Sequence, residues 1–94
     1  MSNEKKQIEI ESATDWFYKR VKILREYLPK PQNEVVFNAL GPEYDSYTGT
    51  KQIHNVLNYR TTDMKVLDAM ERIVWMKSGV SIDPKNNVTK LSDL

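Results

Sequence analysis

Apolar residues recur along this chain at helical spacing, in four runs separated by polar or turn-forming segments. In the first, Phe17, Val21, Leu24 and Leu28 step by four, three and four, which places them on one face of an α-helix. Ser12 or Thr14 is placed to cap that helix, and Asp15 falls in its first turn, near the positive end of the backbone dipole. Pro29 and Pro31 end it, because proline lacks an amide hydrogen and pushes its predecessor out of the helical region. A second helix is expected from Pro31 or Gln32 to Leu40, with Val36, Ala39 and Leu40 inward and Gly41-Pro42 as its stop. Residues 43–49 are rich in turn formers and read as a loop. A third helix then covers residues 50–58, with Ile53, Val56 and Leu57 on its inner face. Thr61 or Thr62 is expected to cap a fourth, whose stripe of Val66, Leu67, Met70, Ile73 and Val74 suits the centre of a core. The pattern predicts an all-α fold, a compact bundle of about four helices over residues 12–77. Residues 1–11, with a short alternation at Ile8 and Ile10, read as a flexible arm, and residues 78–94 as a mostly irregular tail.

Composition narrows what such a bundle can do. The chain has 94 residues, 39% apolar and 29% charged, enough for one small core but too little for a roomy enclosed catalytic pocket. With no cysteine and a single histidine, His54, neither a disulfide framework nor a thiolate or histidine-rich metal site is available. The three glycines stand apart at 41, 49 and 79, so no phosphate-cradling loop is present, and a serine nucleophile would have only His54 as its base. The expectation is a non-enzymatic protein with no cofactor. The start Met-Ser-Asn-Glu-Lys-Lys-Gln lacks an apolar run and no stretch approaches a membrane span, so a cytoplasmic protein without a membrane partner is expected.

The net charge of +1 hides a local asymmetry: Glu4, Glu9, Glu11 and Asp15 precede Lys19, Arg20, Lys22 and Arg25. Those four cations are candidates for phosphate contact, with a solvated helix face as the plainer alternative. The outward side of the third helix has a different chemistry. Lys51, Gln52, His54, Asn55 and Asn58 are candidates for reading base edges, since amide side chains pair with adenine and cations with guanine, while Thr50 and Arg60 are candidates for phosphate. An ordinary amphipathic helix would carry a similar polar face. Trp16, Tyr18 and Trp75 are candidate oligomer contacts; Trp75 lies off the apolar stripe of its helix and must meet either the first helix or a second subunit.

The order Leu24-Arg-Glu-Tyr-Leu-Pro29, Ala39-Leu-Gly41, Ile53-His-Asn-Val-Leu-Asn58, Thr62-Asp63 and Val66-Leu-Asp-Ala-Met-Glu-Arg-Ile73 resembles small phage-repressor-like (Cro/repressor-type) helix-turn-helix proteins. The resemblance covers about residues 24 to 76, and Val56-Leu57-Asn58-x-Arg60 followed by Asp63 is its most specific part. It implies sequence-specific binding of double-stranded DNA by a transcriptional regulator, usually as a homodimer on a pseudo-symmetric site. Two features depart from the family's pattern: the stretch from Gly41 to Ile53 is longer than a tight turn, and Tyr59 stands where a glycine closes the recognition helix. The competing expectation is a protein-interaction or virion module built on the same helices.

Overall fold

The computed structural model describes residues 12–93, so the expected arm at residues 1–11 lies outside it. Four helices form, as expected: α1 (Ala13–Arg25), α2 (Gln32–Ala39), α3 (Tyr47–Leu57) and α4 (Met64–Ser78). A small antiparallel hairpin follows, β1 (Val80–Ile82) with β2 (Val88–Lys90), in the register Val80 to Lys90, Ser81 to Thr89 and Ile82 to Val88. The fold is mainly α.

Ser12 starts α1, its Oγ accepting the Asp15 amide at 3.0 Å. The inner face of α1 then supplies Phe17, Val21 and Leu24 to the core, and Leu28 joins them from the turn beyond. Short α2 adds only Val36 as a fully buried side chain, while α3 adds Ile53, Val56 and Leu57. The largest share comes from α4, where Val66, Leu67, Ala69, Met70 and Val74 are buried. Each such aliphatic side chain stabilises the fold by roughly 1.5–3 kcal/mol relative to leaving it in water. Helix α4 is therefore the centre of the core, as its broad apolar stripe anticipates.

Three local expectations are corrected. Helix α3 begins at Tyr47, three residues earlier than the spacing suggests, because Ser46 caps it through the Gly49 amide at 3.0 Å. A single 3-10 turn, Pro42–Tyr44, fills the preceding connection. Asp63, rather than Thr61 or Thr62, caps α4, its Oδ1 accepting the amides of Lys65 and Val66. The expected irregular tail is the third correction. Gly79, at φ 66, ends α4 in a left-handed conformation that favours glycine, and the chain turns directly into β1. Asp83 builds the hairpin turn by accepting the amides of Lys85 and Asn87. The Asn87 amide first, then its side chain and Lys85, hold the Asp83 carboxyl below the usual carboxylate range despite some desolvation.

Arg20 fastens this hairpin to the helices. It is buried, its Nε pairs with Glu71, its Nη1 donates to Asp83 O and Asn86 Oδ1 at 3.0 Å each, and its Nη2 donates to Ile82 O. Its guanidinium also lies 4.7 Å from the centre of the Trp16 ring. A buried cation persists only when its donors are satisfied, and these partners satisfy them.

Candidate nucleic-acid interface

Helix α3 is held at both ends. At its start Gly49 is buried against the 3-10 turn; a Cβ there would lie 2.5 to 2.6 Å from the Tyr44 backbone, so no side chain fits. This close approach explains why a glycine sits in the first turn of a helix, where it normally costs about 1 kcal/mol. Beside it, Asp63 Oδ2 accepts the Tyr44 hydroxyl at 2.7 Å and the Gln52 amide at 3.2 Å. One carboxylate thus ties together the turn before α3, the middle of α3 and the start of α4. Burial alone would raise the Asp63 carboxyl, but hydrogen bonds from Tyr44, Gln52, Val66 and Lys65 outweigh it and hold it below the usual range. Burial, and then the Asp63 hydrogen bond and charge, push the Tyr44 hydroxyl up to about 12.

The far end of α3 closes in a Schellman arrangement. The Tyr59 amide donates to Val56 O at 3.1 Å and the Arg60 amide to Asn55 O at 2.8 Å. Tyr59 takes the left-handed conformation itself, at φ 61, a region that favours glycine. Its ring is held edge-on to Tyr18 at 6.2 Å, with the Arg25 guanidinium 6.0 Å away. These contacts offset a backbone cost of about 1–2 kcal/mol. Arg25 also donates to Leu57 O at 2.6 Å and to Gln32 Oε1 at 2.9 Å, capping α3 from α1 while bracing the start of α2.

Between these anchors, Gly49, Ile53, Val56 and Leu57 face inward at about 100° per residue, and Tyr47, Thr48, Lys51, His54 and Asn58 face outward and are exposed. Asn55 is half-buried on the edge of that outward face, and its side chain has no hydrogen bond among the described residues. The Lys51 ammonium lies 5.7 Å from the centre of the Tyr47 ring, and Asn58 Nδ2 donates to His54 O at 2.8 Å, leaving its Oδ1 outward-capable. From Ser46 to Thr62 the chain carries no carboxylate side chain at all.

Several residues expected at this interface serve the fold instead. Arg20 and Arg25 are spent on the hairpin and on the α3 cap, so neither is placed to hold phosphate. Gln52 is half-buried and bonded to Asp63, which removes it from the base-reading set. Thr50 gives its hydroxyl hydrogen to Ser46 O and Tyr47 O, both at 3.0 Å, and has no second donor for a phosphate. Lys51, His54, Asn55 and Asn58 do share one outward face. Arg60 is exposed just beyond it. Lys22 is exposed on the same side of α1 as Tyr18 and Arg25, the residues that meet Tyr59, whereas exposed Lys19 stands further round that helix.

Tyr47 is the addition that the spacing alone missed. At 79% exposure it is the most solvent-facing large apolar side chain of the described chain. The signal for it was Ser46 three residues before Gly49, a capping pair hidden inside a segment that otherwise reads as loop. Of the proposed oligomer contacts, Trp16 and Tyr18 are half-buried within the chain: Trp16 Nε1 donates to Pro84 O at 2.7 Å, and Tyr18 packs edge-on against Phe17 and Tyr59. Trp75 alone stays open, at 46% exposure. No helix among the described residues is long and apolar enough to cross a membrane. Comparison with known proteins found no matching family, no matching characterised sequence and no matching solved structure.

Proposed function

We propose that this protein binds double-stranded DNA in a sequence-specific way, with the outward face of α3 in the major groove and with Lys22 and Arg60 against the phosphates. The observation that carries this reading is the composition and setting of that face. A carboxylate-free stretch presents Tyr47, Lys51, His54, Asn55 and Asn58 together, on a helix braced at one end by Gly49 and Asp63 and at the other by Arg25. Amide and cationic side chains supply the hydrogen bonds that distinguish base edges, and a rigid helix of this width fits the major groove. The absence of acids removes the repulsion that a phosphate backbone would impose.

The resemblance carried by Val56-Leu57-Asn58-x-Arg60 and Asp63 supports the same conclusion. It extends it to a transcriptional regulator of the phage-repressor kind, working as a homodimer in the cytoplasm. The seven residues joining α2 to α3, numbers 40–46, set a wider connection than the family's tight turn, and the Asp63 latch replaces that turn as the device fixing α3.

Fluorescence anisotropy on a labelled random duplex across a salt series tests the proposal. Binding should weaken linearly on logarithmic axes, and Lys22→Gln with Arg60→Gln should flatten the slope by about two, at roughly 0.9 per phosphate. No binding at low salt would overturn the reading, and an unchanged slope would remove those two residues from the interface.

A further inference from the structure

The outer surface of α4 is self-complementary, and we infer that it is the interface for a second copy of this chain, packed as an antiparallel pair of α4 helices. Val66, Leu67, Ala69, Met70 and Val74 turn inward, while Met64, Lys65, Asp68, Arg72, Trp75 and Met76 are exposed on the opposite side. Three of these are large apolar groups left in water: Met64 at 56%, Trp75 at 46% and Met76 at 78% exposure. Asp68 and Arg72 have no hydrogen bond or ion pair among the described residues.

The arrangement of these residues selects the occupant. A two-fold axis at the level of Met70, perpendicular to α4, brings each residue level with the one equally far on the other side of Met70 in the second copy. Asp68 then lies across from Arg72, twice, at the centre of the ridge. Met64 and Trp75 are eleven residues apart, about three turns, so they share one flank, and Lys65 and Met76 share the other. The axis brings like flank against like, so Met64 packs on the Trp75 ring of the second copy and the Lys65 stem on its Met76. Thioether and aromatic ring make a favourable contact, and the lysine stem covers apolar surface while its ammonium keeps its ion pair with Glu43 at 3.0 Å. A parallel pairing would bring Asp68 level with Asp68 and Arg72 with Arg72 and is disfavoured by charge. An isologous contact of this kind closes as a dimer and does not propagate.

From Met64 to Met76 the ridge is about 18 Å long, twelve steps of about 1.5 Å, which puts the contact at the small end of specific interfaces. The inference names the surface on which the homodimer of the proposed function would form, yet none of these residues belongs to the α3 face and its test uses no DNA, so either reading can fail without the other. Sedimentation equilibrium up to about 500 µM should show the parent passing from monomer to dimer. Asp68→Arg and Arg72→Asp should each weaken that dimer at least about tenfold by placing like charges opposite one another, and the double exchange should restore it. Circular dichroism should show equal helix content in the parent and the three variants. A parent that stays monomeric, single variants that dimerise like the parent, or a double exchange that does not recover would each overturn the inference.

Discussion

Arg20 and Arg25 show how a basic helix can look like a phosphate-binding surface and be something else. Both guanidiniums are consumed by carbonyl oxygens and side chains of the same chain, one on the hairpin and one on the end of α3. Replacing Arg20 with methionine should therefore destabilise the fold by about 2–3 kcal/mol, the scale of charge-assisted hydrogen bonds lost from a buried site. Urea unfolding measures that loss, and the salt dependence of DNA binding should stay as in the parent. A flattened slope with unchanged stability would restore Arg20 to the phosphate set. Asn55 makes the opposite case. With its side chain unbonded at the edge of the outward face, Asn55→Ala should cost roughly 1–3 kcal/mol of discrimination between a preferred and a scrambled duplex and little stability. Gln52→Ala should instead lower the melting temperature, because it leaves Asp63 short of a donor.

At the scale of elements, the Asp63 latch gives the protein a definite pH profile. Its carboxyl is held below the ordinary value of 3.8 in the folded chain, so the unfolded chain takes up a proton first as pH falls. The latch is intact above about pH 4 and is lost as pH drops through the lower folded value. Tyr44 behaves in the reverse sense: with its hydroxyl pushed from 10.0 to about 12, stability is intact below pH 10 and falls as pH rises towards 12. Thermal melts of the parent and Tyr44→Phe across pH 9 to 12 check this, with the alkaline decline expected only in the parent. Gly49→Ala tests the other brace. Despite alanine's higher helix propensity, the clash with the Tyr44 backbone should destabilise by about 1–3 kcal/mol. A stabilised variant would mean that α3 is free to shift away from the turn.

The helices themselves were legible because their apolar spacing is long and regular, and α4 is the clearest instance. What the spacing could not reveal was how polar side chains are used. Gln52, Thr50, Arg20 and Arg25 are polar and lie near exposed positions, yet each is committed to a partner distant in sequence or to a backbone carbonyl, and periodicity carries no information about that. The hairpin was hidden for a related reason. Strands of three residues are too short to show alternation, and the anchor holding them, Arg20, lies more than sixty residues away.

At the scale of the whole molecule, two surfaces stand apart in chemistry: the carboxylate-free face of α3, and the ridge of α4 where Met64, Trp75 and Met76 surround Asp68 and Arg72. On the proposed readings the first takes DNA and the second another copy, and a dimer would then present two α3 helices at a fixed separation to paired half-sites. The face of α3 is the central claim, and selection from a pool of random duplexes tests it most directly. The parent should enrich a shared sequence motif over successive rounds at moderate salt, and the Lys51→Ala, Asn55→Ala double variant, folded as judged by its melting curve, should not. A parent that returns the pool unenriched, or a double variant that enriches the same motif, would contradict base reading by α3.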